Sequence, residues 1–313
     1  MNKPSCKIAH IIFKQSMSST LRQNTVALFV FLFSALVLVS AYLGWSATST
    51  VNSIYSDATV YLQSSGSAIP SNPVNDKSPL NFLRNMTIYI GLIGALSAIV
   101  IGYQLISVDR KNGVLPLIGT RIGNARSYLI GKLAALAVTL SCITLISAFI
   151  AVITLLLLPS VSITASQWIQ LSAFLFLGVA YMFFFGVLAI ASTALAKTES
   201  VALLVPVTIW LTLTFIFPSL TSNIHPTAAI NPIASLAPAP DSAFFSFFSV
   251  VLAPFSFAEN FKILSAYFLD YLPQRVQFPI FELIAFLGNV LFATVLAIIS
   301  LLKLKQEKGE FYV

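Results

Sequence analysis

The chain has 313 residues, of which 58% are hydrophobic and only 9% are charged. Soluble domains carry about 25% charged residues, so this composition leaves too little polar surface and predicts an all-α integral membrane protein. The net charge of +7 does not indicate nucleic acid as a partner, because the basic residues flank apolar segments and form no basic face interleaved with aromatics. The two cysteines show no metal-site or disulfide-framework spacing.

Residues 1–24 are basic, and their apolar side chains recur near helical spacing. This pattern predicts a cytoplasmic amphipathic helix on the membrane surface. A basic tail without fixed structure is the alternative that the periodicity leaves open.

Six apolar segments follow, and each reaches the length of about 17–25 residues that a transmembrane helix needs. They lie at residues 25–47, 86–108, 128–158, 167–195, 201–217 and 280–302. A Phe-rich run at 243–258 is short for a span and contains a proline, so it predicts a re-entrant or interfacial segment before the last helix. The transmembrane domain is therefore expected at 25–302, with outer loops at about 48–85 and 218–279 and a cytoplasmic tail at 303–313.

The Lys and Arg residues predict the orientation of these spans. With the N-terminus inside, 13 of the 17 basic residues fall on the inner side. Cytoplasmic loops are enriched in Lys and Arg, so both termini are expected in the cytoplasm. A seventh span at 243–258 would place the lysine-rich C-terminus outside, which makes six spans the better prediction. The four outer basic residues are Lys77, Arg84, Lys262 and Arg275.

The spans themselves offer little chemistry. None has an ionisable residue near its middle, where a buried charge marks an ion or proton path, and Glu282 at an outer end is the nearest candidate. Gly94, Ala98 and Gly102 form a small-residue stripe that predicts close helix packing. Pro206 predicts a kink in the fifth span. No phosphate-binding loop of the G-x-x-x-x-G-K-[ST] type occurs, so the chain is not expected to hydrolyse ATP.

The charged segment between the second and third spans holds the candidate functional residues. Its apolar residues share one helical face, which predicts a short amphipathic helix that either docks into a soluble partner or packs beneath the bundle. The candidate residues are Asp109, Arg110, Gly113, Leu115, Leu117, Ile118, Arg121, Arg126 and Lys132.

This segment resembles the coupling loop of type-2 ATP-binding-cassette (ABC) transporter permeases, in which an acidic residue, a glycine four positions later, leucine-rich residues and a Gly-Lys pair recur. The matching residues are Asp109, Gly113, Leu115, Leu117, Gly131 and Lys132. The chain departs from the family's pattern in two places. Residues 122–125 replace a Pro-x-Ser-Arg-like stretch, and Pro116 stands where an acidic residue is frequent. The length of the first outer loop also resembles permeases linked to copper-enzyme maturation.

The resemblance implies a permease subunit, itself not an enzyme, that works as an exporter in a bacterial cytoplasmic (inner) membrane. It implies two cytoplasmic ATPase subunits that bind ATP and magnesium, so no cofactor is expected on this chain. A second permease copy or paralogue, membrane lipids and an envelope or periplasmic protein are the other expected partners. The stripe at Gly94, Ala98 and Gly102, together with Pro206, is expected to serve helix packing and movement at the pathway. An ion-coupled secondary transporter and a non-transporting assembly scaffold are the alternatives.

Overall fold

The computed structural model describes residues 3–70, 72, 78–113, 125–157, 163–225, 228–231, 233, 242–271 and 277–306, and every regular element within them is a helix. The nine helices described there are α1 (Lys3–Leu21), α2 (Asn24–Ser64), α3 (Pro79–Lys111), α4 (Ala125–Leu157), α5 (Ala165–Leu195), α6 (Glu199–Ser222), α7 (Ala243–Leu252), α8 (Phe257–Phe268) and α9 (Ile280–Gln306).

Six helices in the described part of the chain are long and apolar enough to cross a membrane, namely α2, α3, α4, α5, α6 and α9. This confirms the predicted all-α integral membrane fold. A short apolar stretch, α7 with a final turn to Phe255, meets α8 at 80°. Such a bend is the geometry of a re-entrant loop or a broken span, and it lies before the last helix, where the sequence placed a re-entrant or interfacial segment.

Helix α5 forms the centre of the bundle. Two thirds of its most apolar stretch is buried, more than in any other described span. A helix that is hydrophobic on all sides belongs in the core, and α5 packs against α3, α9, α6, α4 and α8. Its Tyr181 ring stacks on Phe257 and Phe261 with centroids 5.1 and 4.3 Å apart. These aromatic contacts attach the bent α7–α8 pair to the core.

The small-residue stripe of α3 lies against α5 within the same chain. A Cβ added to Gly102 would stand 2.2 Å from the carbonyl oxygen of Gly186, and one added to Gly94 would stand 3.0 Å from the sulfur of Met182. Ala98 is fully buried on the same side, with its carbonyl oxygen 3.2 Å from the Cβ position of Gly186. Only residues this small let the two backbones approach so closely.

Helix α1 packs on the first turns of α4. Its buried residues recur at spacings of three and four, as the sequence predicted for an amphipathic helix. A Cβ added to Gly131 would stand 2.7 Å from Ile12 and 2.9 Å from the carbonyl oxygen of Ala9. Most of the apolar face is therefore covered by protein, whereas Ile11 remains exposed.

Helix α2 is longer than the sequence predicted. The expected outer loop begins at residue 48, but the helix continues for 41 residues to Ser64. Between Gly44 and Gly66 no glycine or proline interrupts it, and Thr48 and Thr50 bond back to carbonyls one turn earlier at 3.0 and 2.9 Å. At 1.5 Å per residue α2 spans about 60 Å, twice a hydrocarbon core of about 30 Å.

Two spans contain π-helical turns, at Ile90–Gly94 in α3 and Thr212–Ile216 in α6. The indole N–H of Trp210 donates to the carbonyl oxygen of Gly91 at 3.0 Å, so α6 is bonded to the π turn of α3. Pro206 is buried inside α6, and the helix continues past it to Leu211, where the π turn follows. Single π turns inside α-helices are frequent at functional sites.

Candidate functional site

Three consecutive charged residues at the end of α3 reach three different helices. The structure brings this end of α3 together with the start of α4, the end of α5 and the start of α6, and we call the region the basal end. Successive residues on an α-helix point about 100° apart, so Asp109, Arg110 and Lys111 diverge. Asp109 binds α4, Arg110 binds the end of α5, and Lys111 binds α6.

Asp109 forms a buried ion pair with Lys132, with 2.7 Å between Oδ2 and Nζ. Their exposed fractions are 7% and 3%. The hydroxyl of Tyr128 donates to the same carboxylate oxygen at 2.8 Å, and the ammonium lies 5.3 Å from the centroid of the Tyr128 ring. Tyr128 and Lys132 are four residues apart, so they share one face of α4. Removing one partner of a buried pair costs about 3–5 kcal/mol.

Arg110 covers the end of α5. Its guanidinium donates to the carbonyl oxygens of Ala196 at 3.1 Å and Thr193 at 3.0 Å. The last carbonyls of a helix have no partner within the helix and carry partial negative charge. A positive side chain therefore stabilises this terminus and ties α3 to α5.

Lys111 and Glu199 form an exposed ion pair at 3.0 Å between the end of α3 and the start of α6. Both residues lie beyond the predicted apolar spans. The hydrogen bond to Glu199 raises the pKa of Lys111 above its ordinary value, and the same bond lowers the pKa of Glu199. The hydroxyl of Tyr103 also donates to Glu199 at 3.2 Å. Exposed pairs of this kind contribute about 0–1 kcal/mol.

Gly113 ends α3 in a left-handed conformation, with φ +62°. Its N–H donates to the carbonyl oxygen of Arg110 at 3.2 Å. Glycine is common at this position because other L-residues are strained there. No atom of the described residues lies within 4 Å of the position a Cβ would occupy, so the preference for glycine here follows from the backbone conformation.

Part of the predicted site lies outside the described residues. These positions are Leu115, Leu117, Ile118 and Arg121, together with the predicted coupling helix they form. Arg126 lies in the first turn of α4, and its side chain also falls outside the described part of the structure.

The contact between the two ends of the segment was not predicted from the sequence. Asp109 and Lys132 were candidates at opposite ends of a loop, whereas the structure joins them. Tyr128 was missed altogether. Its placement one turn before Lys132 is the signal that could have revealed a buried partner for both charges.

A second polar cluster lies at the opposite end of the bundle, here called the distal end, in a region the sequence treated as an outer loop. Glu259 of α8 is buried and accepts hydrogen bonds from Thr221 at 2.7 Å, from Ser222 at 3.1 Å and from Ser256. Lys262 is buried on the same helix and donates to the carbonyl oxygen of Ala229. Lys262 was counted as an outer charge, and no role was predicted for Glu259. The Ser256-x-x-Glu259 spacing is a helix-start pattern that could have located α8.

The described residues contain no cluster of three or more His, Cys, Asp or Glu side chains that could hold a metal ion. At the basal end, charged side chains instead connect α3 to α4, α5 and α6 around the two ends of one loop.

A family model described as ABC-2 family transporter protein matches residues 10–305, which is nearly the whole chain. No curated protein matches the sequence. The chain thus belongs to the ABC-2 family of transporter proteins.

Proposed function

We propose that this ABC-2 permease works as an exporter driven by separate ATPase subunits, which dock on the basal end at the cytoplasmic face. The observation that carries the proposal is the buried pair between Asp109 and Lys132. It fixes both ends of the intervening loop to spans, so displacement of that loop moves α3 and α4 together. Arg110 and Lys111 extend the same coupling to α5 and α6.

The distribution of charge supports the orientation. The two segments that the basal end joins hold six of the 17 Lys and Arg residues, and the two terminal segments predicted on the same side hold seven more. Segments rich in Lys and Arg face the cytoplasm. ATP is available on that side. A docked ATPase that closes on ATP would push the loop, and the buried pair would pass the motion into the bundle. Two copies of the permease, or one copy with a paralogue, would each receive one ATPase.

Purification of the full chain from native membranes in mild detergent tests the partner. We expect an ATPase polypeptide with a phosphate-binding loop to copurify, together with vanadate-sensitive ATP hydrolysis. Transport into inside-out vesicles that requires ATP on the outer surface would establish export. Purified chain that carries no ATPase, in cells whose transport survives ATP depletion, would contradict the proposal.

Two variants test the coupling site. Asp109→Lys reverses the buried charge, and Gly113→Val strains the helix end by about 1–2 kcal/mol. Both are expected to leave ATP hydrolysis in the complex while reducing transport per ATP. Asp57→Lys makes the same charge reversal at an exposed position near the far end of α2 and serves as the control. Normal transport by both basal variants, with the ATPase bound, would show that the loop is not the coupling site.

A further inference from the structure

A cavity between the middle and the distal end of the bundle is lined by α3, α5, α6, α8 and residues 229–230, and no role has been assigned to it. The hydroxyls of Tyr181 and Thr214 lie in its wall. Tyr181 is fully buried and Thr214 is 3% exposed. The two hydroxyls lie near each other, yet neither makes a hydrogen bond of ordinary geometry to the described residues. Buried polar groups are almost always hydrogen-bonded, so two unpaired hydroxyls in one cavity indicate a missing partner.

The ammonium of Lys262 lines the same cavity and is 7% exposed. One of its three N–H groups is directed at the carbonyl oxygen of Ala229, which leaves two donors. Glu259, one turn earlier on α8, is directed at three hydroxyl donors. Lys262 has no carboxylate within ion-pair distance among the described residues.

The wall also includes residues of the two irregular helical turns. The carbonyl oxygen of Gly91, in the π turn of α3, already accepts from Trp210. Thr214 lies in the π turn of α6, so the irregular turns of both spans border this cavity. The groups left over are two hydroxyls, which can donate or accept, and the ammonium of Lys262, which only donates and carries a positive charge. A water molecule could satisfy the hydroxyls, whereas an anion accepts from all three groups and also supplies the opposite charge that Lys262 lacks within ion-pair distance among the described residues.

We propose that the cavity binds a small monovalent anion of about the size of chloride, held by Tyr181, Thr214 and Lys262. The bound anion bridges α5, α6 and α8 next to both π turns. Its occupancy stabilises the arrangement of α3 and α6 seen here. The site is separate from the proposed ATPase docking region, because none of its residues belongs to the basal end.

The test uses the purified full chain in detergent with gluconate as the only anion, to which chloride or bromide is added at constant ionic strength. We expect a saturable rise in the unfolding midpoint with either halide. Thr214→Val and Tyr181→Phe should each raise the halide concentration for half-effect at least tenfold, and Lys262→Met should abolish the effect. In gluconate alone, the two hydroxyl variants should unfold close to the wild-type midpoint, because neither removed group makes a hydrogen bond of ordinary geometry to the described residues.

Thr212→Val is the matched control, since within the described part of the chain the Thr212 hydroxyl bonds to the carbonyl of Thr208 in its own helix at 2.9 Å and does not line the cavity. It should keep the wild-type halide response. A bromide peak within hydrogen-bond distance of Tyr181 and Thr214 in a structure of the complex would support the site. A wild-type chain without a saturable halide response, which is the result if water alone fills the cavity, overturns the proposal. Loss of the response in Thr212→Val equal to that in Thr214→Val also overturns it.

Discussion

A double-mutant cycle on the buried basal pair provides the sharpest test of the fold. Among the described residues, Lys132→Met leaves the Asp109 carboxylate buried with the Tyr128 hydroxyl as its remaining partner, and Asp109→Asn leaves the ammonium without an opposite charge within ion-pair distance. Each single variant should lower the free energy of unfolding by about 3–5 kcal/mol. The double variant removes both charges and should approach wild-type stability, because apolar or neutral replacements of a buried pair are often tolerated.

The assay is an unfolding titration of each variant in mixed detergent micelles, followed by tryptophan fluorescence. The exposed pair of Lys111 and Glu199 supplies the comparison, and its cycle should give a coupling below about 1 kcal/mol. If the double variant at Asp109 and Lys132 loses as much stability as its two single variants combined, the charges do not depend on each other and the reasoning fails. Transport measured with the stable double variant then shows whether transport needs the charged pair itself or only a correctly folded chain.

Three further predictions concern helix packing and the hydrogen bonds of Glu259. The unfolding titration measures the first and the third. Gly102→Ala should lower the free energy of unfolding by about 1–3 kcal/mol through overpacking, because the added Cβ would meet the carbonyl of Gly186. Gly288→Ala is the control and should be neutral or stabilising, because no described atom lies within 4 Å of its Cβ position. Equal losses of stability in the two variants would contradict the close packing of α3 and α5. Gly131→Val should displace α1 and speed its removal by protease, and an unchanged cleavage rate would contradict the docking. Glu259→Gln should cost about 1.5–3 kcal/mol, as expected for hydrogen bonds to a charged group, and no loss would show that the hydroxyls find other acceptors.

Much of the fold could be predicted because it depends on composition and length. The apolar segments predicted the six spans, and the periodicity of the first 24 residues predicted α1. The end of α2 was misplaced because serine and threonine are common in loops, yet here their hydroxyls bond within the helix at positions such as Thr48. Single-sequence patterns do not show how such residues will use their hydrogen bonds.

The candidate site was only partly predictable. The order of charges after the second span identified Asp109 and Lys132, but it does not show which of three neighbouring charges turns inward. That depends on the rotation of α3 about its axis, which the packing of Gly102 on α5 decides. Glu259 and Lys262 were missed for a related reason. Charges between spans are usually solvated, and only the 80° bend after α7 brings α8 into the bundle.

The docking of α1 has a consequence for how the chain is made. Its partner surface at Gly131 is synthesised roughly 120 residues after Ile12, which at about 5–20 residues per second is a delay on the order of ten seconds. During that interval the amphipathic face of α1 has no protein to cover it, and the bilayer surface is the available apolar medium. The N-terminal segment is therefore expected to rest on the membrane first and to move onto α4 only after the third span has been inserted.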